Sequence, residues 1–331
     1  MWITLKPGVA AVEVRGALQA LGLWTEPLQS QLGGADGLWV QPQSRRVSSE
    51  EILAIPGVQD LSRAGAAWPR VEAQAGRAVQ VGPVSVGGGA APVLMAGPCS
   101  VESPAQILAA AEVAARAGAQ ILRGGVFKPR SSPYAFRGVG AEGLSWMREA
   151  ADAFGLQVVT EVMREGDVAR VAEFAELIQI GSRNMQNFGL LEAVGAAGRP
   201  VLLKRGMAAY VEDWLLAGEY LLAAGCPGVM YCERGVRGFD PQTRNLLDLG
   251  AVALLKEVYG QVVVVDPSHS AGRRDLIGPL SRAAVAAGAD GLIVESHPDP
   301  AQARSDGPQA LWPEELEALA RSVGRWPREE R

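Results

Sequence analysis

The stretch VVVVDPSHS (262–270) decides how the chain is read. Four consecutive valines cannot alternate between a core and water, so the strand they form is buried on both faces, as in a parallel sheet covered by helices. The apolar run stops at Asp266 and Pro267, and Ser268 and His269 follow at once. Outward from it, similar short runs recur: VLMAG (93–97), QILRGG (120–125), QVVTE (157–161), LIQIGS (177–182), PVLLKRG (200–206), GVMYCERG (228–235) and GLIVES (291–296). Ala- and Leu-rich stretches of helical length lie between them, among them 104–118, 141–155, 210–224 and 272–288, and a last helix is expected near 312–324. Eight strand-then-helix units within 92–331 predict an α/β fold, a (β/α)8 TIM barrel. A doubly wound open sheet alternates in the same way, so the count alone does not separate the two.

Ahead of the barrel, residues 2–6 (WITLK) and 36–41 (DGLWVQ) alternate like half-buried strands, and 10–21 and 48–55 carry helical spacing, with Ser48 or Ser49 as N-cap. Two further β-like runs lie near 23–29 and 58–64. The order β-α-β-β-α-β predicts a small α+β ferredoxin-like domain over residues 1–70. Trp2, Trp24, Trp39 and Trp68 are expected to fill its core or an interface. Residues 71–91, rich in Gly, Ala and Pro, read as a linker in which 78–86 can form a hairpin around Gly82 and Pro83.

Of 331 residues 48% are hydrophobic and 20% charged, which excludes a disordered chain. No uncharged apolar stretch approaches the ~18 residues that span a bilayer, so no membrane association is expected. Lys6, Pro7 and Gly8 fall where a signal peptide needs its apolar centre, which points to a cytoplasmic protein. The odd set Cys99, Cys226 and Cys232 suits reduced thiols better than disulfides. A net charge of −5 argues against nucleic acid as a partner, so any anion must be held by a local group of cations.

Barrels of this kind place chemistry at the C-terminal ends of their strands. Two populations of polar residues end the eight runs. One is cationic: Arg123, Lys128, Arg130, Arg183, Lys204 and Arg234. Taken singly, each is best read as pairing with a surface carboxylate; converging on one rim, they would repel one another unless an anion sat among them, and Arg forks beside glycine N–H groups suit phosphate. The other population is Cys99, His269, Glu295 and Asp306, which only closure of strand eight on strand one would bring together. A thiolate, an imidazole and two carboxylates make a four-ligand set for a divalent metal, and the sulfur favours Mn, Fe, Zn or Co over Mg or Ca. Alone, Cys99 reads as a small buried hydrophobe and His269 as a hydrogen-bonded loop residue. His297 is expected to shape the loop after Glu295.

The motifs AGPCSVES (96–103), LRGGVFKPRSSPYAFRG (122–138), QIGSRNMQNF (179–188), LLKRGM (202–207), CERG (232–235), VDPSHSAGRRD (265–275) and IVE (293–295) with SDG (305–307) closely resemble 3-deoxy-D-arabino-heptulosonate 7-phosphate (DAHP) synthases. The subgroup resembled is the compact one that also contains 3-deoxy-D-manno-octulosonate 8-phosphate synthases. Residues 1–70 resemble, less specifically, the regulatory domain that precedes some members. The resemblance implies condensation of phosphoenolpyruvate with erythrose 4-phosphate and water, giving DAHP and phosphate, in the shikimate pathway. By matching positions it implies that Arg123, Lys128, Arg183, Lys204 and Arg234 hold the phosphate and carboxylate of phosphoenolpyruvate. Arg130, Ser131 and Ser132 fall where the family receives the sugar phosphate, and Cys99, His269, Glu295 and Asp306 where it binds metal. Lys128 or metal-bound water is the candidate proton donor and Glu161 the candidate for orienting or deprotonating the attacking water, its alternative being a structural ion pair; Asp266 and Arg205 are expected to support them. The resemblance further implies a homo-tetramer and Phe or Tyr as effector. The alternative substrate is arabinose 5-phosphate, but the octulosonate branch resembles K-A-N-R-S-S where this chain has Lys128-Pro129-Arg130-Ser131-Ser132. A barrel that only senses an anion is the other class of reading, against which the intact metal and cation sets speak.

Overall fold

The structure, a computed structural model, describes residues 1–28, 37–41, 44, 45, 47–62, 67–128, 132, 134 and 136–324. It divides into two compact units, Met1–Pro69 and Arg70–Arg331.

The first unit runs β1 (Trp2–Leu5), α1 (Ala11–Ala20), β2 (Thr25–Leu28), β3 (Gly37–Val40), α2 (Ser49–Leu53) and β4 (Val58–Ser62). Its sheet is antiparallel in the order β2-β3-β1-β4, the split βαβ arrangement. Of the two candidate caps, Ser48 starts α2: its hydroxyl accepts from Glu51 N at 3.1 Å and Glu51 Oε2 accepts from Ser48 N at 3.1 Å. Such a box satisfies two amides that the first helical turn leaves open. Ile3, Leu5, Val14, Leu18, Leu38 and Ile52 form an aliphatic core. The tryptophans do not fill it. Inward Ile3 and Leu5 turn Trp2 to the other face, where it pairs with Trp39. Trp24 and Trp39 are 54% and 41% exposed.

The second unit opens with α3 (Pro69–Gln74) and an antiparallel hairpin, β5 (Val79–Val81) and β6 (Val84–Val86). Then β7 (Val93–Gly97), α4 (Pro104–Arg116), β8 (Ile121–Arg123), α5 (Glu142–Ala153), β9 (Gln157–Val162), α6 (Val168–Phe174), β10 (Leu177–Ile180) and α7 (Phe188–Gly195) alternate. They continue as β11 (Val201–Lys204), α8 (Val211–Ala223), β12 (Val229–Glu233), α9 (Leu249–Ala253), β13 (Val262–Val265), α10 (Pro267–Ala271), α11 (Arg274–Ala286), β14 (Gly291–Glu295) and α12 (Pro313–Val323). The strands β7 to β14 form a closed parallel barrel, and the deciding pairing is β14 on β7, with Glu295 opposite Gly97. An open doubly wound sheet is thereby excluded.

The four valines of β13 are all buried, as a strand enclosed on both faces requires. Val79, Val81 and Val86 pack with Val93, Ile121, Leu177 and Val262, each the first residue of its barrel strand. The hairpin therefore plugs the N-terminal end of the barrel, and residues 71–91 pack as part of this unit. Gln74 reinforces this, its side chain exchanging 2.8 Å hydrogen bonds with both backbone groups of Val229. The opposite end is left to polar side chains. Among the described residues, no helix is long and apolar enough to cross a membrane.

Candidate active site

Closure supplies the first half of the site. Cys99 follows β7, Glu295 ends β14, His269 lies on α10, and Asp306 occupies the loop beyond β14. Their donor atoms all lie within 4.8 Å of one another. His269 Nε2 is 3.2 Å from Glu295 Oε1 and 3.9 Å from Asp306 Oδ2, and the Cys99 thiol donates to Asp306 Oδ2 at 3.1 Å.

The orientation of His269 is fixed from behind. Asp266 caps α10, accepting from His269 N at 2.9 Å through Oδ1, and its Oδ2 lies 2.7 Å from His269 Nδ1. Burial pushes the His269 pKa down, against the pull of Asp266 and Glu295. With Nδ1 held by Asp266, Nε2 is the ring nitrogen turned toward the two carboxylates, the arrangement a metal ligand needs. Burial, then the negative field of Glu295, raises the Cys99 thiol to about 12. The carboxylates of Glu295 and Asp306, the Cys99 sulfur and His269 Nε2 thus share one small space, and these donor types suit a divalent metal. The four residues form a cluster that could hold such an ion.

The backbone and neighbours of these ligands are held as firmly. Burial alone would raise the Glu295 carboxyl, but His269, Arg123 and Lys128 hold it down to about 2. Arg123 Nη1 donates to Glu295 Oε1 at 3.1 Å, and Gln309 Nε2 to Glu295 Oε2 at 2.5 Å. Asp306 has φ 52, the one positive φ outside glycine among the described residues. Arg274 pins the turn that follows, donating to Gly307 O at 2.9 Å and Ala310 O at 2.6 Å.

The second half is a cavity of about 300 Å³ at the same rim, lined by Arg123, Lys128, Ser132, Glu161, Arg183, Lys204, Arg234, His269 and Asp306 from the sequence reading. Cys99 and Glu295 lie buried behind it. Arg130 and Ser131 lie outside the described residues. Lys128 Nζ donates to Cys99 O at 2.9 Å, so its ammonium stands against the metal cluster. Lys204 Nζ lies 2.5 Å from Asp266 Oδ2. Glu161 Oε2 accepts from Gln179 Nε2 at 3.2 Å across the paired strands β9 and β10. A Cβ at Gly181 would lie 2.0 Å from Glu161 Oε1, so only glycine leaves that carboxylate room.

Arg205 faces away from the cavity, bonded to Glu233 at 3.0 Å and Asp248 at 2.8 Å, and so ties the ends of β11 and β12 to the start of α9. His297 Nδ1 accepts from Asp299 N at 3.0 Å, shaping its loop. The sequence reading gave no role to Gln179, Ser182, Met207 and Arg244, which also line the cavity, or to Gln309. Gln179 and Ser182 stand in the LIQIGS run itself and were open to the same strand-end test. Met207 and Arg244 sit in loops, where no strand end marks them.

Residues 70–326 match the family model described as the DAHP synthetase I family. The chain belongs to this family. The phospho-2-dehydro-3-deoxyheptonate aldolase of Thermotoga maritima is 49% identical over 233 residues, 70% of this chain and 69% of its own. A 2-dehydro-3-deoxyphosphooctonate aldolase of Acidithiobacillus ferrooxidans is 38% identical over 240 residues, 66% of this chain and 83% of its own. The crystal structure of the Thermotoga maritima phospho-2-dehydro-3-deoxyheptonate aldolase (DAHP synthase) aligns with a TM-score of 0.74 at 39% identity, over 97% of this chain and 95% of that one. The DAHP synthetase I match thus spans the barrel unit, and the structural likeness extends over the first unit as well.

Proposed function

We propose that this protein is a metal-dependent DAHP synthase. The observation that carries this reading is the meeting of a four-donor metal cluster and a cationic cavity at one rim of a chain with net charge −5. Arg123, Lys128, Arg183, Lys204 and Arg234 hold the phosphate and carboxylate of phosphoenolpyruvate, Arg forks matching oxyanions in pairs and Lys supplying point charge. Ser132, with Arg130 and Ser131, receives the phosphate of erythrose 4-phosphate. A divalent ion at Cys99, His269, Glu295 and Asp306 would act as a Lewis acid on the aldehyde oxygen. Its thiolate ligand favours Mn, Fe, Zn or Co.

The new bond joins C3 of phosphoenolpyruvate to the aldehyde carbon, and Lys128 donates the proton the resulting alkoxide takes up. Positive charge left on C2 is met by water, which Glu161 orients and deprotonates. The C2–O bond to phosphate then breaks, phosphate leaves, and C2 becomes the ketone of DAHP. Asp266 serves both halves at once, holding Lys204 at the substrate and His269 at the metal.

Supplying the purified protein with phosphoenolpyruvate and either aldehyde tests this. Phosphate release with erythrose 4-phosphate is expected to exceed that with arabinose 5-phosphate; the reverse preference would make it an octulosonate phosphate synthase, and no release with either would leave only an anion sensor.

For the first unit, the family resemblance supports a regulatory role, with Phe or Tyr as effector in a cytoplasmic homo-tetramer. Titrating each amino acid into the assay and measuring mass in solution would check both; rates untouched by either would refute the effector.

A further inference from the structure

We infer that Arg244 is a further substrate-binding residue, a guanidinium placed to contact an oxyanion of one of the two phosphorylated substrates. The inference rests on the proposed synthase reading and names a contact that reading leaves out. Arg244 lines the same cavity as Arg234 and Arg183, but it comes from the loop between β12 and α9. That loop is anchored. Val236 and Leu246 pair across it, Arg237 N donates to Met207 O at 2.7 Å, and Asn245 N donates to Ser270 O at 2.8 Å.

Arg244 itself is placed by its backbone and its stem. Its N–H donates to Ala271 O at 2.9 Å. Gly272, at φ +66, leaves the stem its space: a Cβ there would lie 2.7 Å from Arg244 Cβ. Among the described residues the guanidinium then makes one side-chain hydrogen bond, a long one of 3.4 Å from Nη1 to Gln309 Oε1. Gln309 is in turn fixed on Glu295, so the direction of Arg244 is set from the metal side of the site.

Of the other cations lining the cavity, Arg123 is paired with Glu295 and Lys204 with Asp266, whereas among the described residues Lys128, Arg183 and Arg234, the other candidates for holding oxyanions, have no carboxylate partner. Among the described residues, no carboxylate pairs with Arg244. Burial, opposed in part by Asp266, lowers the Arg234 pKa, and the positive charge of Arg244 lowers it further, so the two guanidiniums feel one another across the cavity. Two like charges that among the described residues make only long hydrogen bonds, Arg244 to Gln309 Oε1 at 3.4 Å and Arg234 to Gly235 O at 3.5 Å, are an arrangement that an incoming dianion relieves. A guanidinium serving only as a loop strut would instead be expected to fill its fork with a protein acceptor.

The test compares full-length wild type with Arg244→Met and Arg244→Lys. Inorganic phosphate binding is measured by calorimetry and KM for each substrate by phosphate release, with thermal unfolding as the control. Arg244→Met is expected to weaken phosphate binding and to raise one KM by about tenfold or more, with kcat changed far less and the lysine variant partly restored. A rise confined to phosphoenolpyruvate or to erythrose 4-phosphate identifies which oxyanion is held. Unchanged phosphate affinity and unchanged KM values would overturn the inference, whatever happened to the melting temperature. If the wild type turned over neither substrate pair, the synthase reading would fall while the phosphate titration still decided Arg244.

Discussion

Lys204 and His269 meet on a single oxygen: Asp266 Oδ2 lies 2.5 Å from the ammonium and 2.7 Å from imidazole Nδ1. One carboxylate thus serves a strand-end cation facing the cavity and the back of a candidate metal ligand. His269 and Lys204 hold Asp266 well below the usual carboxylate range despite its burial.

Asp266→Asn keeps the shape and removes that charge. Metal affinity is expected to fall by about 10- to 100-fold, as when other partners that orient a ligating histidine are lost. Competition with a chromophoric chelator measures it; wild-type affinity in the variant would show that His269 needs no such support.

Gly181 has an ordinary φ of −72, so alanine fits the backbone there. What it cannot fit is Glu161, whose Oε1 would lie 2.0 Å from the new Cβ. Gly181→Ala is expected to lower kcat by up to about 100-fold through displacement of the carboxylate proposed to orient the water. Thermal unfolding should move little. An unaltered kcat would remove Glu161 from the chemistry.

Tyr231 is buried on β12 against α8, edge-on to Trp214 with ring centroids 5.3 Å apart. Its hydroxyl is buried and makes no hydrogen bond among the described residues. Tyr231→Phe keeps the ring contact and removes an unmet polar group, so it should be neutral or stabilising by about 1 kcal/mol. Denaturant midpoints check this, and a clear loss of stability would contradict it.

Glu295 is held at about 2 in the folded protein against 4.5 unperturbed. The unfolded chain therefore binds the proton first as pH falls, so the contribution is complete above about 4.5 and disappears toward pH 2. In the metal-free protein, Glu295→Gln should flatten the decline of melting temperature across that window. Parallel wild-type and variant curves would be inconsistent with this account.

Much of the barrel was legible because its strands are enclosed: Val262 to Val265 leave no polar face, and Asp266 then marks the end of burial. Strand-end residues such as Arg123, Lys204, Arg234 and Glu295 could be read for the same reason. Closure could not, since the pairing of Glu295 with Gly97 joins segments far apart in sequence and depends on register around the whole barrel. Arg244 and Gln309 stayed hidden because neither ends a strand and their positions depend on loop anchoring. His269 and His297 both follow strand ends; the sequence reading gave the first to the metal set and the second to its loop, and the structure aims His269 at Glu295 and turns His297 to Asp299 N. In the first unit, the alternation of Ile3 and Leu5 already set Trp2 outward, but large aromatics suggest a core more strongly than a four-residue strand suggests a face.

The most direct test of the central claim is titration of metal-stripped protein with Co²⁺, followed by absorption, in wild type and Cys99→Ser. The account predicts saturation at one equivalent with a thiolate-to-cobalt charge-transfer band that the serine variant lacks. Binding without that band in the wild type, or an identical spectrum in the variant, would contradict a single site shared by Cys99, His269, Glu295 and Asp306.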